Sequence, residues 1–392
     1  MNVPKLRFKD NNDNDYPNWV NSTIGKSGYF YYGKSAPKWS ITDTATTPCV
    51  RYGELYTTHN IIVKKIYSYT NIPKENLKFS TGNEVLVPRV GEEPLDFCKC
   101  CYLPFKDVAI GEMISVYNTK NNPLFISYMF NGTMKYKFAR LVEGGNVSNL
   151  YYSYLENISI NLPFLEEQKK IANFLSTVDK KITNLENTIT SLENQKKGLL
   201  QQIFSQKLRF KDKNGNNYPN WEKKKLEDIA IFLDNKRKPL EQSERIHGKY
   251  PYYGASGIID YINDYIFDEE LVLLSEDGAN IIDRNYPICY IATGKYWVNN
   301  HAHVLKVKSQ YVNKFICESL EQLNYTKYNT GTAQPKLNQD VCRKIILSIP
   351  CLEEQTKIAN FLSTFDRKLE NQKAQLEHWK QIKKGLLQQM FV

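Results

Sequence analysis

Several groups of side chains in this chain have types and spacings from which chemistry could be built. Asn161-Leu162-Pro163-Phe164 half matches an Asn-Pro-Pro-aromatic turn of the kind that holds an exocyclic amine for methyl transfer. Its second residue is leucine, and the corresponding stretch of a later repeat, Ser348-Ile349-Pro350-Cys351, loses both ends of the pattern. A strand running into a helix explains it better, since such a motif needs its structural context. Gly294-Lys295 lacks the upstream glycine of a phosphate loop and the Ser/Thr after the lysine. Asp268, Glu276 and Asp277 surround a strand-like run, but no lysine follows at nuclease spacing. His301 and His303 share one face of a possible strand without a third ligand nearby, and Cys98, Cys100 and Cys101 crowd too closely for a four-ligand site. Nothing assembles nucleophile, base and orienter. The chain reads as non-catalytic, with no metal and no cofactor of its own.

The elements that position these residues are organised around a long helix written twice. Pro163 to Phe204 reads PFLEEQKKIANFLSTVDKKITNLENTITSLENQKKGLLQQIF, and Pro350 to Phe391 repeats it without a gap at a constant offset of 187 (350 − 163). Such a repeat is duplication. In the first copy Ile171, Leu175, Val178, Ile182, Leu185, Ile189 and Leu192 step alternately by four and three; in the second, Ile358, Leu362, Phe365, Leu369, Leu376, Trp379 and Leu386 keep the register. This is a coiled-coil seam. Each copy opens on proline with Glu-Glu in its first turn, which suits a helix N-terminus. About 39 helical residues make a rod of roughly 58 Å that cannot bury its seam alone. The other copy is the expected partner: the segment between the copies begins where the first helix ends and stops where the second begins, so the second should start at the far end and run back, antiparallel to the first. Two separate helical hairpins or a homodimeric coil are the alternatives. Lys196 and Lys383, in the seam near the two C-terminal ends, are expected to reach solvent.

A second repeat precedes each intervening domain: LRFKDNNDNDYPNW (6–19) and LRFKDKNGNNYPNW (208–221). The second copy directly follows the first helix, so the first copy should directly follow the second helix in space, bringing the chain's two ends together. Between the markers lie short strand-like runs broken by Gly, Pro and Asn: NIIVKKIYSY (60–69), EVLVP (84–88), ELVLLS (270–275) and HVLKVK (303–308). Faint landmarks recur in order. Tyr52-Gly53 matches Tyr253-Gly254, Gly91 matches Gly278, and Gly144 and Leu150 match Gly331 and Leu337. The expected fold is therefore α/β (α+β): two mixed α/β domains at opposite ends of a long antiparallel two-helix coiled coil, pseudo-two-fold symmetric. The predicted boundaries are 1–162, 163–205, 206–349 and 350–392.

The formal charge of +10 on 392 residues is spread along the chain, which indicates a basic folded surface and a polyanionic partner. Eight cysteines in no disulfide or zinc spacing suit a reducing cytosol. The start, MNVPKLRFKDNND, has no apolar core for a signal peptide, and no run of about 18 apolar residues could span a membrane. The expected location is cytoplasmic.

The order LRF…YPNW, variable domain, LEEQ-x-KIANFLST, KKGLLQQ, repeated in full, resembles the specificity subunit of a bacterial type I restriction–modification system. YPYYGASGIIDY (250–261), ELVLLSEDGAN (270–280), ATGKYWVNNHAHVL (292–305) and TGTAQPKLNQ (330–339) are similar to looser marks of that family, from which the first domain departs. The resemblance implies two target recognition domains, each reading one half of a split sequence in double-stranded DNA, with the helices fixing the unread spacer. It implies two modification subunits that methylate adenines with S-adenosylmethionine, and two restriction subunits that use ATP and magnesium; these cofactors belong to the partners. Base reading needs Arg, Lys, Asn and Gln, with further lysines for phosphates. On that reading the candidates are Arg51, Tyr52, Arg89, Lys135 and Lys137 in the first domain. In the second they are Lys236, Arg237, Lys238, Tyr252, Tyr253, Ser256, Lys295, Tyr296 and Gln334. Two rival classes are an enzyme with hidden catalysis and an adhesion protein with a coiled-coil spacer. A methylation assay on the chain alone separates the first, and salt-dependent DNA binding the second.

Overall fold

The computed structural model describes residues 4–391. They form two compact units, one running to Glu186 and resuming at Ala374, the other Asn187–Lys373. The two duplicated segments form helices of 40 and 39 residues, Leu165–Phe204 and Leu352–Met390. A single glycine interrupts each, and no proline does, so the seam residues can stay on one face.

Within the first unit the helices run antiparallel: Asp179 pairs with Lys383 at 2.7 Å, and Glu186, further along the first helix, with Lys380 at 3.4 Å. The second unit shows the same sense, with Glu193 pairing Lys373 at 2.7 Å and Lys196 pairing Asp366 at 2.7 Å. Val178, Leu185, Ile189, Leu192 and Leu369 are buried, while Ile182, Phe365, Leu376, Trp379 and Leu386 are half-buried. Ile171 and Leu175 join the core of the first domain, and Ile358 and Leu362 that of the second. Each fully buried Leu or Ile contributes roughly 1.5–3 kcal/mol. The lysines expected to reach solvent do not do so freely. Lys383 is held by Asp179, and Lys196 by both Asp366 and Glu318. An aspartate at the equivalent place on the facing helix captures each one.

The two domains share one topology. In the first, a four-stranded antiparallel sheet has the order Gly28–Tyr32, Ile114–Thr119, Glu84–Pro88, Cys101–Leu103. A second sheet has the order Ser68–Thr70, Thr47–Val50, Lys106–Ile110, Phe79–Thr81, its middle pair parallel. The second domain repeats both: Ala230–Phe232, Ala302–Val307, Leu271–Ser275, Cys289–Ala292, then Gly257–Ile262, His247–Gly254, Lys295–Val298, Phe267–Asp268, with a parallel pair again in the middle. A strand from each YPNW end, Val20–Thr23 or Glu222–Lys225, pairs with the strand entering the long helix. Two expectations are corrected. Only Ser68–Thr70 at the end of the run 60–69 becomes a strand, since Lys64 and Lys65 break its apolar alternation. Tyr52-Gly53 opens a short helix, Tyr52–Thr57, whereas Tyr253-Gly254 ends a strand, so the topological counterpart of Tyr253 is Val50.

The duplicated motifs meet at a joint. Arg7 grips the fully buried Glu167 with two donors, Nε at 3.0 Å and Nη2 at 2.7 Å. Arg209 grips Glu354 identically, at 3.1 and 2.6 Å. Beside them Gln168 and Gln355 accept from the backbone N–H groups of Asn122 and Val312 and donate to the carbonyls of Pro163 and Pro350. The closing of the chain also repeats: Leu208 N–H donates to Gln202 O at 3.1 Å, and Leu6 N–H to Gln389 O at 3.0 Å. The N-terminal segment follows the second helix as the middle one follows the first.

Candidate nucleic-acid interface

One place in the two domains can be matched atom for atom. The N–H of Arg89, just past the strand Glu84–Pro88, donates to Met113 O, and the N–H of Leu150 donates to Arg89 O. In the second domain the N–H of Glu276, just past Leu271–Ser275, donates to His301 O, and the N–H of Leu337 to Glu276 O. Arg89 and Glu276 are therefore counterparts. The strand registers Ser115↔Val87 and His303↔Leu274 make Ser115 the counterpart of His303, and the registers Ser115↔Tyr32 and Leu305↔Phe232, the latter continued by two residues, make Tyr32 that of Asp234.

In the second domain this place is an ion cluster. Asp234 lies 2.6 Å from His303 Nδ1, accepts from Val304 N–H at 2.8 Å and from Gln339 Nε2 at 2.7 Å. Arg237 spans Asp234 at 3.3 Å and Glu276 at 2.6 Å, and Lys336 reaches the other oxygen of Glu276 at 3.3 Å. His303 Nε2 meets Leu337 O at 2.7 Å, so both ring nitrogens face acceptors and the ring is an imidazolium. Burial opposes that charge, but hydrogen bonding to Asp234, the Cys342 side chain and the charge of Asp234 together outweigh burial and push His303 up to about 10. Burial likewise opposes the Asp234 carboxylate, and His303, Val304 N–H and Arg237 together hold it below its ordinary value. Asp234, Glu276 and His303 offer ligand atoms within 4.8 Å of one another. They do not suit a metal: Arg237 already spans the carboxylates, and a protonated ring has no lone pair to give.

The cluster has a pH signature. His303, raised from 6.5, contributes fully below about 6.5, and its contribution is lost as pH rises through about 10. Asp234, lowered from 3.8, contributes above that value and its contribution is lost as pH falls. The second domain should therefore be most stable between these limits and lose on the order of a few kcal/mol toward pH 10. Urea midpoints of wild type and His303→Gln across pH 5–10 check this; equal slopes for the two would refute it.

The first domain fills the same place differently. Ser115 is buried with no hydrogen-bond partner for its hydroxyl. The Arg89 guanidinium lies 4.4 Å from the centre of the Tyr32 ring and 5.7 Å from that of Tyr151. Tyr152 extends the aromatic surface, and Tyr154 is exposed at its rim.

The remaining candidates divide. Tyr252 and Tyr296 are corrected to core residues, 1% and 0% exposed; the Tyr252 hydroxyl accepts from Leu240 N–H inside the domain. Tyr253 is half-buried against Tyr290. Arg237 is consumed by the ion cluster. Lys236, Lys238, Ser256, Lys295 and Gln334 are exposed, and Gln334 lies beside Pro335, whose carbonyl accepts from Gly278 N–H. In the first domain Tyr52 and Lys137 are exposed and Arg51 is half-buried. Lys135 lines a cleft of about 1050 Å³ shared with Lys64, Lys180 and Lys384, at some remove in sequence from the tyrosine surface. Sequence reasoning missed Tyr32, Tyr151 and Asp234. The runs Tyr29-Phe30-Tyr31-Tyr32 and Tyr151-Tyr152 were the available signal.

The family described as type I restriction modification DNA specificity domain matches residues 16–194 and again 218–378. A putative type I restriction enzyme specificity subunit of Haemophilus influenzae is 38% identical over 139 residues, a stretch spanning 36% of this chain and 36% of that relative's length. A type I restriction enzyme specificity subunit of Methanocaldococcus jannaschii is 25% identical over 321 residues, covering 73% of this chain and 74% of its own. Among solved structures, the S subunit of a type I restriction–modification system from M. genitalium superposes with a TM-score of 0.67 at 19% identity, over 100% of this chain and 99% of that one. A chain from a study of complex assembly and conformational transition in a type I system gives 0.56 at 13% identity, over 96% and 98%. No helix among the described residues is long and apolar enough to cross a membrane. With both of its halves matched by that one domain, this chain belongs to the type I restriction–modification DNA specificity family.

Proposed function

We propose that this chain is the DNA-reading specificity subunit of a type I restriction–modification complex and carries no catalysis of its own. Each mixed α/β domain reads one half of a bipartite, asymmetric target in double-stranded DNA. The paired helices set the unread gap and dock two modification subunits, which two restriction subunits join. S-adenosylmethionine, ATP and magnesium serve those partners. The observation that carries this reading is a duplicated frame with divergent contents. The joints Arg7–Glu167 and Arg209–Glu354 are the same, whereas the matched positions Arg89 and Glu276 bear opposite charge. A frame kept twice with different exposed chemistry suits two readers of two different sequences. The exposed Lys236, Lys238, Lys295 and Gln334 supply donors for phosphates and base edges.

The test is to express the chain with its cognate modification subunit and map methylated adenines genome-wide. A single asymmetric, interrupted motif is expected. The complex should also bind DNA with an affinity that falls steeply with salt, because phosphate contacts release counterions. Absence of any motif, or a flat salt response, would count decisively against a DNA reader.

A further inference from the structure

We propose that Arg89 is the specificity-determining side chain of the first domain, donating its guanidinium fork to the O6 and N7 acceptors of a guanine; this rests on the DNA-reading function proposed above. Four observations converge on it. First, the guanidinium lies over two rings, 4.4 Å from Tyr32 and 5.7 Å from Tyr151. Stacking orients a planar fork before any ligand arrives, which a point charge on a flexible stem would not need. Second, its donors are unspent. Arg7, Arg209, Arg237, Arg245 and Arg284 each pair with a carboxylate, but among the described residues none pairs with Arg89. Its Nε is buried without a hydrogen-bond partner, although buried donors are almost always satisfied.

Third, the rim beside it is aromatic. Tyr154 is 40% exposed and packs edge-on to Tyr151 at 6.1 Å, and Tyr152 packs on Tyr32 at 4.5 Å. Tyrosines around a cation suit nucleotides, whose bases have π-faces and whose edges accept hydrogen bonds. Fourth, the matched position in the second domain is Glu276, neutralised by Arg237 and Lys336. The two domains thus differ in charge at a matched place on a shared frame, and a difference between half-sites can arise from such a place. A phosphate could be bound by any of the exposed lysines without a stack. A bidentate arginine is instead the commonest specific contact to guanine.

The test uses the full chain in complex with its modification subunits, presented with a random duplex library at fixed salt, and the bound duplexes are sequenced. Wild type should select two half-sites. Arg89→Lys and Arg89→Gln should each lose the preference for one guanine in one half-site, by about tenfold to a hundredfold. The other half-site and the gap should be unchanged, which also reports that the variant is folded. Arg89→Lys should keep the wild-type salt slope, and Tyr32→Phe, which retains the ring, should keep the guanine. Suppose instead that Arg89→Lys preserves every base preference and Arg89→Gln only weakens binding uniformly, with a shallower salt slope. Arg89 would then be a phosphate contact and the proposal would be overturned. Loss of both half-sites together would assign it a structural role and equally overturn the proposal. If wild type selects no sequence, the DNA-reading function itself fails; if wild type selects two half-sites and the variants select the same two with every guanine kept, only the role of Arg89 fails.

Discussion

Arg7→Ala should destabilise the first unit by about 3–5 kcal/mol, the cost of leaving a buried charge without its partner. Glu167 is fully buried, Arg7 is 17% exposed at its side chain, and the two guanidinium bonds at 3.0 and 2.7 Å are the ones that Glu167 accepts. Removing Arg7 therefore strands a carboxylate, whereas removing Glu167 would leave an arginine that can turn to water. The duplicated joint sharpens the expectation. At the second joint Glu354 also accepts from Trp221 Nε1 at 3.1 Å, while Trp19, the matching tryptophan of the first, has a buried Nε1 with no partner. Arg209→Ala thus leaves one charge-assisted bond in place, and its cost should be smaller by about 1.5–3 kcal/mol. Urea unfolding followed by tryptophan fluorescence reads both, because Trp19 and Trp221 pack at the two joints. Equal midpoints for Arg7→Ala and wild type would show that the pair contributes nothing to stability.

The second large effect concerns the DNA gap, on the proposed division of labour between domains and helices. Four residues inserted in each long helix, after Thr188 and after Gln375, should lengthen the unread spacer by one or two base pairs and leave both half-sites unaltered. Four residues add about 6 Å to a helix and rotate its downstream portion by about 40° beyond a full turn. One base pair advances DNA by about 3.4 Å. Matched insertions keep the helices paired, since Glu186–Lys380 lies to one side of them and Glu193–Lys373 to the other. The wild-type target should be lost from the methylome and a target with a wider gap should replace it. Changed bases within a half-site at an unchanged gap would mean that the helices belong to the reading surface, and the division of labour would fail.

Much of the frame was readable because duplication supplies its own alignment. The three–four spacing from Ile171 to Leu192 named residues that are buried or half-buried, and EVLVP, LVLLS and the run into each helix proline became strands. The candidate surface was far less readable. A tyrosine among glycines and lysines has the same sequence signature whether its ring closes a core, as Tyr252 and Tyr296 do, or flanks a cation, as Tyr32 does. Which of these occurs depends on the face of the sheet on which the residue falls, and a bulge or one residue of register decides that. Glu276 and His303 were weighed as metal or nuclease ligands; Arg237, far from both in sequence, turned them into a closed ion cluster.

Local pattern and repetition alone determined the two long helices and the existence of two related domains, and pointed to their antiparallel sense, because periodicity and repeat order are written along the chain itself. The tertiary structure alone decided that Arg7 belongs to Glu167 across 160 residues, that Lys196 and Lys383 are captured by aspartates, and that Arg89 stands where Glu276 stands. Those are pairings of charges brought together only when the chain closes on itself, and the energy of a charge is set by what surrounds it rather than by what precedes it in sequence.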